Sequence, residues 1–320
     1  MLPRVAICLM GPTASGKTQI AIELVRHLQC DIISVDSAMV YRGMDIGTAK
    51  PTPEQLKITP HRLIDIRDPL NPYSAGQFVS DASSVMEEIF ERQRIPLLVG
   101  GTMMYFRALQ KGITDLPPAD AIIRARLVDE VKTLGTVQMH NQLAKVDPLA
   151  ASKIDPHDSQ RIQRAMEVYL ITGKPLSSHW ADDIENQLKN KPLINSSCQM
   201  INMAIAPLDR MVLHARIQQR FEKMLQQGFV EEVETLMKRG DLQEDLPALR
   251  AVGYRQVWNY LNHQLTFEEM GQQAIIATRQ LAKRQLTWLR SWLEIQWFDS
   301  ESPNLLQQIL LYLEEKGVRG

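Results

Sequence analysis

Gly11-Pro12-Thr13-Ala14-Ser15-Gly16-Lys17-Thr18 has the spacing G-x-x-x-x-G-K-[ST] of a phosphate-cradling loop. Its glycines let the backbone turn N–H groups onto phosphate oxygens. A helix over about 17–28 would aim its positive end at the same anion. Lys17 would reach the terminal phosphate, and the Thr18 hydroxyl would hold a magnesium ion. The apolar run Val5-Ala6-Ile7-Cys8-Leu9-Met10 precedes the loop and has strand length. A chance glycine-rich turn would explain the glycines, but not the strand, the helix and the full spacing together. The loop predicts a grip on a di- or triphosphate and leaves the reaction open.

Other segments could act on what the loop holds. Asp36 ends the run Asp31-Ile32-Ile33-Ser34-Val35. It could hold magnesium, act as a general base, or cap the next turn, and its position alone does not choose. The polar stretch from Tyr41 to Pro51 has little core character, as functional loops often do. Ile95-Pro96-Leu97-Leu98-Val99 ends in Gly100-Gly101-Thr102 rather than in an acid, which weakens a nucleotide-hydrolase reading. That turn would offer N–H groups and the Thr102 hydroxyl to an oxygen-rich ligand. Arg220, on an amphipathic helix, could offset charge on a leaving group. Taken alone it reads as a solvated helix charge. From Ile276 to Leu293 there are four basic residues, Arg279, Lys283, Arg284 and Arg290, and no acid. Trp288 and Trp292 are interleaved with them. That pattern suits RNA contact, while the plainer reading makes the tryptophans core and the charges a solvated face.

These residues need a frame. Three strand-like runs, Val5–Met10, Asp31–Val35 and Ile95–Val99, alternate with helical patterns, predicting a parallel sheet with helices on both faces. In such sheets the ligand sits beyond the carboxyl ends of the strands, so all three polar turns converge there. Asp115-Leu116-Pro117-Pro118 marks a break. The pattern is helical from Ala119 to Ser178, then polar over Asn186–Ser197, until a fourth strand at Met200–Ala206. The expected division is therefore an α/β core over 1–116 and 199–320, with a helical insertion over 117–198. The last part is read as mostly helical, most clearly over Arg210–Gln227 and Ala274–Leu293. With 320 residues, 44% of them hydrophobic, the chain can build its own core. No apolar run reaches bilayer length. The net charge of −1 limits any nucleic-acid surface to a local patch. Three scattered cysteines argue against disulfide frameworks and zinc sites, and with the missing signal peptide they predict a reducing cytoplasm.

Taken together, these segments resemble the tRNA dimethylallyltransferases, the bacterial tRNA isopentenyltransferase family. The matching stretches are Gly11 to Thr18, Asp36-Ser37 with Tyr41 to Pro51, His61 to Asp65 and Gly100-Gly101-Thr102. Further along they are Asp158 to Arg161 with Arg164-Ala165, Arg216 to Phe221, Val252 to Arg255 and Thr278 to Arg290. Met39 stands where many members carry glutamine. The resemblance implies transfer of a dimethylallyl group from its diphosphate to N6 of the adenosine 3′-adjacent to the anticodon. It implies a diphosphate cradle of Gly11, Pro12, Thr13, Ala14, Ser15, Gly16, Lys17 and Thr18, with magnesium on Thr18. Asp36 becomes the base for the adenine amine, and Thr13, Lys17, Arg220 and Thr102 act at the reacting centre. Asp36, Ser37, Ala38, Met39 and Thr102 would meet the target base, extruded from its stack. The tRNA would also meet Arg124, Gln160, Arg161, Ile162, Gln163 and Arg164 in the insertion. Arg250, Gly253, Tyr254, Arg255, Lys283, Arg284, Gln285 and Arg290 complete that set. The partners implied are dimethylallyl diphosphate and a tRNA anticodon stem-loop, with no membrane and a monomeric chain. The competing readings are a small-molecule kinase and an isopentenyltransferase acting on free adenine nucleotides.

Overall fold

The structure is a computed structural model that describes residues 4–114, 116–180 and 198–318. Six strands form one sheet: β1 Arg4–Met10, β2 Cys30–Val35, β3 His61–Arg62, β4 Ile95–Gly100, β5 Cys198–Ala206 and β6 Gln296–Asp299. Their order is β3-β2-β4-β1-β5-β6, and every pairing is parallel. Burial on both faces explains the near-continuous apolar runs of β1, β2 and β4. Along β1 the side chains alternate between two cores, Ala6, Cys8 and Met10 in one and Ile7 and Leu9 in the other. The first core takes helix Ala75–Glu91, and the second takes helices Lys17–His27 and Leu305–Glu315.

Register fixes where the loops emerge. Met10 and Val35 both pair with Gly100, so the turns after β1, β2 and β4 leave from one edge. The sheet departs from expectation at its margins. The final region contains a strand, β6, and His61–Arg62 adds the two-residue β3. Helix Phe267–Arg290 begins seven residues before the expected Ala274. Its start is fixed by a capping box in which Thr266 and Glu269 each satisfy the other's backbone N–H.

The chain divides into two compact units, Met1–Lys111 with Ile194–Gly320, and Gly112–Leu193. The first cut falls at Gly112 (φ +81°) rather than at Pro117, because helix Met103–Lys111 stops on that glycine. The second unit carries helices Ala121–Leu134, Thr136–Val146, Pro148–Lys153 and Ser159–Thr172. Leu127, Met139, Leu143, Ile162, Ala165 and Val168 form its core. The polar stretch read at Asn186–Ser197 lies outside the described residues. Cys198, read as the end of the insertion, is the first residue of β5.

Candidate active site

The turns that leave the sheet edge border one cavity of about 550 Å³ in the α/β unit. Thr13, Ala14, Lys17 and Thr18 line it from the phosphate loop. Ala14 (φ +63°) and Gly16 (φ +88°) take left-handed conformations that turn the chain sharply into the helix. Gly16 offers no side-chain cap; the Gln19 N–H turns back to the Gly16 carbonyl at 3.2 Å, and the N–H groups of Lys17 and Thr18, at the positive end of helix Lys17–His27, suit an anion. Gly11, Pro12, Ser15 and Gly16 do not line the cavity but shape the turn. A Cβ on Gly11 would stand 2.5 Å from the Ile205 carbonyl oxygen and 2.7 Å from Ser15 Oγ. The buried Ser15 hydroxyl has no hydrogen-bond partner.

Two cations meet there. Burial and the neighbouring Arg220 push the Lys17 ammonium down to about 8, against an opposing pull from Asp36. Burial likewise lowers the Arg220 guanidinium, again opposed by Asp36. Lys17 Nζ donates to the Pro12 carbonyl at 3.2 Å. Arg220 Nη2 donates to the Thr48 carbonyl at 3.3 Å. Arg220 is therefore a cavity charge and not the solvated helix charge that its isolated sequence context suggests. An anion entering here would replace lost hydration for both groups.

Asp36 closes an Asx turn: its Oδ1 accepts from the N–H groups of Ala38 (2.8 Å) and Met39 (3.2 Å). Capping and chemistry are thus not exclusive, since both bonds fall on one oxygen and, among the described residues, leave Oδ2 open to another proton donor. Thr102 Oγ1 accepts from the Ser37 N–H at 3.1 Å and ties the turn after β4 to the turn after β2. The glycines before it are explained by close approach. A Cβ on Gly100 would lie 2.0 Å from the Val35 carbonyl oxygen.

Ser37, Ala38, Met39, Arg250, Gly253, Tyr254, Arg284 and Gln285 also line the cavity, whereas Arg255, Lys283 and Arg290 are exposed residues that do not. Gln285 has a further job: its Oε1 accepts from the Thr13 N–H (2.9 Å) and its Nε2 donates to the Gly101 carbonyl (2.9 Å). One amide thus clamps the phosphate loop to the Gly-Gly-Thr turn. Met39 accepts a hydroxyl contact from Ser34 at 3.8 Å to sulfur.

Sequence reading missed several contributors. Met103, Ile217, Phe221, Met224, Phe229 and Leu281 give the cavity an apolar wall suited to a hydrocarbon group. Their hydrophobicity in helices reads only as core. Trp288 is neither buried core nor free face: it lines the cavity, with the Arg107 guanidinium 5.6 Å from its ring centroid. His61 lines it too. Burial lowers its pKa against the opposing pull of the Thr59 carbonyl at Nδ1.

In the helical unit, Gln160 and Arg161 stand exposed at the start of helix Ser159–Thr172, and Gln163 is half-buried. Ile162 is 0% exposed in that unit's core, so its side chain is not the RNA contact expected of it. The helical period that turns Arg161 outward turns Ile162 inward. Arg124 and Arg164 both bond Glu167, at 2.8 and 2.6 Å, and Arg164 also donates to the Pro117 carbonyl.

The chain is similar to proteins of one family. A model of the IPP transferase family matches residues 39–292. The tRNA dimethylallyltransferase 2 of Hahella chejuensis is 53% identical, over 97% of this chain and 95% of its own. The tRNA dimethylallyltransferase of Coxiella burnetii is 54% identical, over 98% of each chain. The solved tRNA isopentenylpyrophosphate transferase of Bacillus halodurans is 34% identical, with a TM-score of 0.69 over 98% of this chain and 96% of that one. The chain therefore belongs to the IPP transferase family, that of the tRNA dimethylallyltransferases.

Proposed function

We propose that the cavity binds dimethylallyl diphosphate and that the chain transfers its five-carbon group to N6 of the adenosine 3′-adjacent to the anticodon in tRNA. One observation carries the reading: anion-holding groups, one carboxylate with a spare oxygen, and an apolar wall share a single cavity. The loop N–H groups, Thr13, Lys17 and Arg220 hold the diphosphate. As the N6 lone pair attacks the allylic carbon, the carbon–oxygen bond to the diphosphate breaks. The amine, made acidic by alkylation, gives its proton to Asp36 Oδ2. Lys17 and Arg220 offset the charge gathered on the leaving diphosphate.

Magnesium, when bound, would neutralise part of that charge. The donor set suits a metal held mostly by phosphate oxygens: the chain offers the Thr18 hydroxyl. Among the described residues no cluster of three or more His, Cys, Asp or Glu side chains could hold a metal unaided. Thr102 and Met39 border the target base. Exposed Arg250, Arg255, Lys283, Arg284 and Arg290 contact the tRNA from one unit. Gln160, Arg161 and Gln163, with what Arg124 and Arg164 retain beyond Glu167, contact it from the insertion. The proposal includes a monomer in the cytoplasm, in keeping with three free thiols, Cys8, Cys30 and Cys198. No helix among the described residues is long and apolar enough to cross a membrane.

The test is transfer of label from dimethylallyl diphosphate, with magnesium, to an anticodon stem-loop or to free AMP. Labelled stem-loop is expected. Label in AMP alone overturns the acceptor. ATP turnover with neither product labelled returns the chain to the kinases.

A further inference from the structure

Glu232 lies in the first turn of helix Phe229–Lys238, where the helix dipole favours a carboxylate. Both of its oxygens are engaged by groups of the same chain. Oε2 accepts from the N–H groups of Asp45 (2.9 Å) and Ile46 (2.7 Å), and Oε1 from the Gly47 N–H (3.1 Å). The Tyr254 hydroxyl donates to the same Oε1 at 2.6 Å. Three consecutive backbone N–H groups converging on one anion form a nest, the arrangement that elsewhere holds phosphate. Here the nest is filled by a side chain of the same chain, 185 to 187 residues away.

The packing at this point leaves no slack. A Cβ on Gly47 would fall 2.1 Å from Phe229 Cε2 and 2.6 Å from Tyr254 Cε2. The segment therefore lies flush on the helix that carries Glu232 and on Tyr254. Its far side is tied as firmly: Lys50 Nζ donates to the Tyr41 carbonyl (2.6 Å), to Asp45 Oδ1 (2.7 Å) and to Asp65. The residue after the nest is Thr48. Its hydroxyl turns back onto the Met44 carbonyl at 2.7 Å, and its own carbonyl accepts from Arg220 Nη2. Among the described residues no carboxylate pairs with Arg220 within 4 Å, and the Thr48 carbonyl is its one side-chain hydrogen bond. The guanidinium thus leans on a backbone oxygen of the residue that follows the nest.

We propose that Glu232 is a positioning residue for the reaction: by holding the N–H groups of Asp45, Ile46 and Gly47, it fixes the Thr48 carbonyl that aims Arg220 into the diphosphate site. The proposal rests on the reading that Arg220 binds diphosphate in this cavity. A neutral carbonyl is a useful guide for such a group, because it holds direction without cancelling the charge that the ligand needs. A carboxylate in its place would compete with the diphosphate.

The experiment is a double-mutant cycle on the full chain, read as affinity for magnesium pyrophosphate by calorimetry, which needs no turnover. Glu232→Gln keeps the shape, loses the charge and presents an amide to N–H groups. It should weaken pyrophosphate about tenfold, the scale of a small misplacement of a binding group. In an Arg220→Ala background it should weaken it no further, because the effect passes through Arg220. Tyr254→Phe, which removes one donor to the same carboxylate, should show a smaller loss and the same disappearance. It keeps the test open should Glu232→Gln fail to fold. Losses that multiply in the double variants would make Glu232 a general prop for the loop and overturn the proposal. So would unchanged affinity in Glu232→Gln while Arg220→Ala is weakened. Unchanged affinity in Arg220→Ala itself would instead sink the functional reading beneath it.

Discussion

Arginine serves opposite ends in the two units. Arg220, in the α/β unit, hydrogen-bonds among the described residues to a carbonyl oxygen and keeps its charge available within a desolvated cavity. Arg124 and Arg164, in the helical unit, converge on Glu167, whose side chain is 1% exposed. Burial works to raise the Glu167 pKa, but bonds from the two guanidiniums and from the Asp120 N–H outweigh it and hold the carboxyl below its ordinary value. The first arrangement stores unmet charge for a ligand. The second cancels charge to tie Ala121–Leu134 to Ser159–Thr172. A count of arginines in a sequence cannot separate these uses, because the difference lies in what each guanidinium finds around it.

Substitutions can sharpen this contrast. The largest effect is expected at the unmet end. Asp36→Ala should lower turnover by about two to four orders of magnitude, the span of a positioned base, while leaving stem-loop affinity nearly intact. Retained turnover in a single-turnover assay would make Asp36 a turn cap and nothing more. Next comes the cancelled end. Glu167→Ala removes the buried acceptor that two guanidiniums share and should destabilise the chain by about 1–3 kcal/mol in urea titration, with pyrophosphate affinity unchanged. Because the folded Glu167 pKa is depressed, its contribution is full above the unfolded carboxyl value and fades as pH falls through the folded one. The wild-type advantage over Glu167→Ala should shrink accordingly in acid, and a pH-independent gap would deny the ion pairs their role. The smallest effect belongs to the exposed charges. Lys283→Ala with Arg284→Ala should reduce the salt slope of stem-loop binding by about one to two, each lost phosphate contact contributing a little under one. An unchanged slope would remove this helix from the RNA footprint.

The site was legible where chemistry is local. The phosphate loop, Asp36 and Thr102 each follow an apolar strand, and the alternation of strands with helices placed them at one edge. β1, β2, β4 and β5 could be read because burial on both faces leaves long apolar runs. β6 could not, because of its four residues only Phe298 is buried. The start of helix Phe267–Arg290 had a readable signal in Thr266 and Glu269, outweighed by its polar first turns. The clamps were hidden for a different reason. Gln285 reaches Thr13 across 272 residues and Glu232 reaches Gly47 across 185, and neither side chain differs in kind from those on a solvated helix face. Gly47 likewise reads as loop flexibility, whereas the structure gives it the role of an absent side chain between Phe229 and Tyr254.

The order of the sheet has a consequence for biosynthesis. β1 sits between β4 and β5, and β5 ends at Ala206, after the insertion has been made. The phosphate loop packs on the end of β5, as the closeness of Gly11 to the Ile205 carbonyl shows. At about 5–20 residues per second, a ribosome needs roughly 10–40 s between Met10 and Ala206. During that interval the loop has a wall on one side only. The insertion, whose contacts are local, can settle while the donor pocket waits for its last strand and then for Gln285. A nascent chain is thus expected to acquire a compact helical unit well before it can hold a diphosphate, and a chain ended before Gln285 would lack the amide that clamps that pocket.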